Sequence, residues 1–143
     1  MSRSYEGLML RSLLLCLLIF SATSANAQTA KIAAFNKVAE ASLEQFRMFL
    51  NCSATDPETY AQVQSSWDEL IADTVKVLER TNVPANVIVT FKATTAPAAV
   101  MLTERPFGEV IRYCGRDQDW AKKFLAQDFI MLPTEAARIF GGQ

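Results

Sequence analysis

Apolar positions recur every three or four residues along much of this chain, the spacing of amphipathic helices. Ile32, Phe35, Ala39, Leu43, Phe46 and Leu50 form one such stripe. Lys31, Lys37, Glu40, Glu44 and Arg47 fall mostly off it. The spacing predicts a helix over residues 29–50, broken by the polar run at residues 51–54. Thr55, Asp56, Pro57 and Glu58 then match a capping box, with Thr55 at the cap and Glu58 three positions later. Pro57 suits the first turn, where its missing N–H removes no helical bond. Tyr60, Val63, Trp67, Leu70, Ile71, Val75 and Leu78 mark the apolar face of this second helix, which residues 81–84 end. A connection this short sets the two long helices antiparallel.

The middle of the chain is less regular. Residues 87–91 (Val-Ile-Val-Thr-Phe) have strand composition. No comparable run is available to pair with them, and a lone strand leaves backbone groups unsatisfied. A buried helix over residues 84–93 is therefore the better reading. A break follows at 94–97, with a fresh start at Pro97 and one or two helical turns up to Thr103. Residues 106–114 form a further short helix, with Gly115 as its stop. Asp117 or Asp119 caps the next, whose apolar positions are Trp120, Phe124, Leu125 and Phe129. Phe129, Ile130, Met131 and Leu132 run apolar into Pro133, and a last helix spans residues 134–140 before Gly141 and Gly142. The expected fold class is all-α: two long antiparallel amphipathic helices plus several short ones.

Residues 1–27 carry a different pattern. Arg3 and Arg11 supply positive charge, residues 13–20 (LLLCLLIF) are continuously apolar, and Ala25-Asn26-Ala27 has the small-x-small form of a cleavage site. These are the three parts of a secretory signal peptide. The apolar run is shorter than the roughly 20 residues of a spanning helix. The expected domains are a leader at 1–27, cut before Gln28, and one helical domain at 28–143. The expected location is the periplasm or outside the cell, with no membrane span in the mature form.

Cleavage changes the cysteine arithmetic. Cys16 lies inside the apolar run behind Leu15, unlike a lipid-modified cysteine, and leaves with the leader. Cys52 and Cys114 remain, in a compartment where disulfides persist. Their spacing is neither C-x-x-C nor that of a four-cysteine zinc site. A structural disulfide is expected; the alternatives are buried free thiols or a bridge to another chain.

Charge and composition exclude more than they assign. The full chain has a net charge of −1 and contains no histidine. That rules out a Ser-His-Asp triad, a Cys-His dyad and histidine-bound zinc. No basic stripe suited to neutralising phosphates is present, so nucleic acid is not an expected partner. Arg105, Arg112, Arg116, Lys122 and Lys123 make the last third locally basic, but Glu104, Glu109, Asp117, Asp119 and Asp128 lie among them. Asp117 and Asp119 lack the ligand spacing and turn glycine of a calcium loop. Asp68, Glu69 and Asp73 stand on the polar face of the second helix, where carboxylates are solvated rather than catalytic. No cofactor is expected.

One apolar segment falls outside the helical stripes. Phe129, Ile130, Met131 and Leu132 either dock on the core or form a contact surface for a partner. Met101, Leu102 and Phe107 raise the same question more weakly. In outline, two long helices, several short ones and one disulfide resemble small periplasmic helical proteins, including acid-stress chaperones; no motif specific to them is present. The function expected first is a non-enzymatic, chaperone-like or protein-binding role. An inhibitor or immunity protein against a secreted hydrolase comes second, and a small carboxylate-dependent enzyme third.

Overall fold

The computed structural model describes residues 6–102, 105–127 and 130–142, with side chains from residue 25 onward. The side chains of the predicted leader's apolar run therefore lie outside the described residues. The chain divides into two compact units, residues 1–34 and 35–143. In the first, the backbone is helical from Glu6, and the Thr29 hydroxyl donates to the Ala25 carbonyl at 3.0 Å. The second unit holds the core. Among the described residues the secondary structure is entirely helical: α1 (Glu6–Ser53), α2 (Pro57–Arg80), α3 (Ala85–Thr95), α4 (Pro97–Val100), α5 (Phe107–Gly115), α6 (Trp120–Leu125) and α7 (Met131–Phe140). The all-α expectation holds. Among the described residues, no helix is long and apolar enough to cross a membrane.

Helix α1 runs past the predicted stop at residue 51. Its last polar residues bond back to the preceding turn and so do not break it. Asn51 Nδ2 donates to the Arg47 carbonyl at 2.7 Å, and the Ser53 hydroxyl donates to that of Leu50 at 3.2 Å. Three residues later α2 begins, and here the predicted cap is off by one. Asp56, not Thr55, is the cap: its backbone is extended, and its carboxylate accepts from the Glu58 N–H at 3.3 Å and the Thr59 hydroxyl at 2.5 Å. Pro57 takes the first helical position, as predicted.

The other end of α2 closes by a left-handed turn. Asn82 adopts φ 55°, the Asn82 N–H donates to the Glu79 carbonyl at 3.2 Å, and the Val83 N–H donates to that of Leu78 at 3.1 Å. This is the Schellman pattern; asparagine tolerates the left-handed region because its polar side chain is short. Leu78 and Val83, the pair that the motif brings together, are both buried.

Antiparallel packing of α1 and α2 is fixed by aromatic rings. Phe46, about two turns before the end of α1, lies 4.4 Å from Trp67, about three turns into α2. Trp67 is fully buried, and its indole N–H donates to the Thr95 carbonyl at the end of α3 at 2.7 Å. Phe35 contacts Phe91 of α3 at 5.4 Å and Phe140 of α7 at 5.6 Å. Phe49 contacts Phe124 of α6 at 5.4 Å. Helix α2 packs against α7 and α3, and α3 against α4.

Residues 85–93 are helical, within α3, and Pro84 is the cap before them. Of the apolar run, Ile88 and Phe91 are buried in the core, whereas Val89 is exposed. Pro97 starts α4, a single turn, after which Met101 is extended. Helix α7 starts at Met131, three residues earlier than expected. Pro133 does not delimit it, because a proline in the first turn has no helical N–H bond to lose. After Phe140, Gly141 leaves the helix where a Cβ would run into the Ala137 carbonyl.

Candidate binding groove beside the disulfide

Cys52 and Cys114 form a disulfide, with an S–S distance of 2.03 Å and Cα atoms 5.5 Å apart. It joins the last turn of α1 to the last turn of α5. Met48 Sδ lies 3.4 Å from Cys52 Sγ, one helical turn back. Gly115 is the final residue of α5 rather than its left-handed stop, and Arg116 follows in ordinary helical geometry.

Helix α5 is the least typical element of the fold. Phe107, Val110, Ile111 and Cys114 make a clean apolar stripe, yet no residue of the helix is buried. Phe107 is 69% exposed and Ile111 51% exposed. Burial is what ordinarily stabilises an amphipathic helix. Here the stripe instead forms one wall of a groove of about 340 Å³. The opposite wall is the end of α1 and the turn after it, and the floor includes Met101, Leu102 and the two cysteines. Among the described residues, Arg105 is the one charged residue that lines the groove.

A buried asparagine shapes the floor. Asn51 Oδ1 accepts the Leu102 N–H at 2.7 Å, and Nδ2 donates to the Val100 carbonyl at 3.3 Å. The side-chain amide acts as a short length of backbone and holds residues 100–102, the end of α4 and the extended chain after it, against α1. The sequence reading took Asn51 only as a break in the pattern. Its one available signal was a polar residue directly after a helical stripe, and its partners lie some 50 positions downstream.

Behind α5, the Tyr113 hydroxyl is buried without a hydrogen bond of good geometry. Burial first, and the neighbouring Glu44 charge second, push the phenol above its usual range; Arg47 and Arg105 pull the other way. Glu44 is itself paired with Arg47 at 2.6 Å.

The apolar segment expected at residues 129–132 does not act as one unit. Phe129 lies outside the described residues. Leu132 is buried at 1% exposure, whereas Ile130 is 68% exposed and Met131 also faces outward. A helix starting at Met131 turns successive side chains by about 100°, which points Met131 and Leu132 in different directions. Leu132 therefore docks, and Ile130 and Met131 join the surface.

The predicted carboxylate groups come to no cluster. Asp68, Glu69 and Asp73 are exposed, and Asp73 pairs with Lys76 at 2.8 Å. Asp117 pairs with Lys123, and Asp119 precedes α6 without a capping hydrogen bond from its side chain. Among the described residues no carboxylate is buried, and no group of three or more Cys, Asp or Glu side chains is placed to hold a metal. Arg112 and Arg116 are exposed.

No known protein family matches the sequence, and no curated protein or solved structure is similar to it.

Proposed function

We propose that this chain is an exported, non-enzymatic binding protein that seats apolar side chains of a partner polypeptide in the groove beside the disulfide. The carrying observation is the exposed pair Phe107 and Ile111, one helical turn apart above an apolar floor. Helix-flanked grooves of this kind take up apolar anchors spaced along a partner segment. Arg105 at the lip favours segments with an acidic residue beside the apolar ones. The groove's size is at the lower end of ligand pockets, enough for a few side chains rather than a folded surface. The Cys52–Cys114 bond is compatible with an oxidising compartment, and the leader pattern at residues 1–27 supports export.

The test uses a permanently unfolded probe, a reduced and S-alkylated polypeptide labelled for fluorescence anisotropy. The oxidised chain binds it, and a Phe107→Ser/Ile111→Ser variant loses at least about tenfold in affinity. Because both side chains are exposed, the variant's melting temperature stays within about 2 °C of wild type. Equal binding by wild type and variant refutes the groove. A tight one-to-one complex with a single secreted hydrolase, competing with its substrate, replaces the chaperone-like reading with the inhibitor one.

A further inference from the structure

We infer that the groove is gated by the redox state of Cys52–Cys114: α5 is a flap that the disulfide pins in place and a dithiol reductant releases. This rests on the groove reading above and adds its regulation.

Three observations carry it. First, no residue of α5 is buried, so packing contributes little to holding it. Val110, Tyr113 and Cys114 are half-buried, and the rest of the helix is exposed. Second, α5 has nine residues. Isolated helices shorter than about 12 residues are marginal in water. Third, both cysteines line the groove itself, so the bond that anchors the wall is reached from the same opening as the site. The aromatic contacts of the core are made without α5: Phe46 meets Trp67, Phe35 meets Phe91 and Phe140, and Phe49 meets Phe124.

The exchange balances with a dithiol as co-reactant. Its thiolate attacks Cys114 Sγ; Cys52 and Cys114 are both half-buried, and attack at Cys52 gives the same final products. A mixed disulfide forms at Cys114, and Cys52 leaves as a thiolate that takes a proton. The second thiol of the reductant then attacks the mixed disulfide and closes its own ring. Cys114 is released as a thiol, and two electrons have passed from the dithiol to the cysteine pair. Freed from α1, α5 leaves the groove with one wall, and Phe107 and Ile111 no longer face its floor.

Hydrogen exchange read by mass spectrometry tests this on the full chain, oxidised and after dithiothreitol, beside a Cys52→Ser/Cys114→Ser variant. Expected on reduction, and in the variant, is exchange at least about tenfold faster across residues 105–116, with α2 and α7 within about twofold of the oxidised chain. Binding of the alkylated probe falls by a similar factor in the same samples. Unchanged protection of α5 overturns the proposal. So does loss of protection in α2 and α7 together with α5, which makes the bond a support for the whole domain. An oxidised chain that fails to bind the probe refutes the groove reading alone, because release of α5 is still scored by exchange.

Discussion

Replacing Asn51 by alanine removes two long-range hydrogen bonds at once. Leu102 loses the acceptor 2.7 Å from its N–H, and Val100 loses the donor 3.3 Å from its carbonyl. Each bond contributes about 1 kcal/mol net, and a buried group left unpaired costs a further 1–3 kcal/mol or so. Val100 is essentially inaccessible to water, so its carbonyl has no easy substitute; the half-buried Leu102 N–H hydrates more readily. The expected loss for Asn51→Ala is about 3 kcal/mol. For a domain of this size that corresponds to a fall in melting temperature of about 12 °C. Asn51→Asp separates the two bonds. It keeps an acceptor for Leu102 but turns a carboxylate toward the Arg47 and Val100 carbonyls. At neutral pH it is at least as damaging as alanine, because a buried charge then faces two carbonyl oxygens. Burial and those carbonyls raise the carboxyl above its ordinary range, so it protonates as pH falls to about 4 and part of the loss returns. Urea unfolding followed by far-UV circular dichroism, at pH 7 and pH 4, measures both variants. A loss below about 1 kcal/mol for Asn51→Ala refutes the view that this amide holds the 100–102 segment.

Two further outcomes are expected. The Ser42 hydroxyl is buried in α1 without a partner, so Ser42→Ala raises stability by about 1 kcal/mol in the same unfolding assay; a destabilised variant contradicts this. The Asp56 cap gives an acid-limb signature: the Thr59 hydroxyl is the largest influence on its carboxyl and, helped by the Glu58 and Thr59 N–H groups, outweighs burial and holds it below the ordinary value of 3.8. A carboxyl lowered on folding contributes stability that is complete above the unfolded value and lost as pH falls through the folded one. The stability difference between wild type and Asp56→Asn therefore narrows below pH 3.8, and a difference constant with pH removes the cap charge from the account.

What was legible in the sequence was mostly local. Helix α2 has a cap, a proline at its start, one apolar period and a turn asparagine within a single stretch, and its bounds follow from these. The cap was misplaced by one because Thr55 and Asp56 are both competent; only the extended backbone at Asp56 separates them. Residues 84–93 were readable because a strand there would have had no partner. The helix at 106–114 was legible as well, but the exposure of its apolar stripe was not. Whether a stripe is covered depends on elements far away in sequence. Asn51 escaped for the same reason, since its partners approach only after α3 and α4 have turned the chain back. Residues 129–132 read as a block in the sequence, whereas the structure puts Leu132 in the core and Ile130 and Met131 on the surface.

Phe35, Phe46 and Phe49 of α1 reach four different helices: Phe35 meets α3 and α7, Phe46 meets α2, and Phe49 meets α6. Phe35 is also the first residue of the second compact unit, and none of the described buried side chains precedes it. A cut anywhere upstream of Phe35, including one before Gln28, takes away none of those anchors. If residues 1–27 are removed, as the sequence pattern predicts, the described core keeps every one of these anchors, because its ring contacts all lie within the second unit.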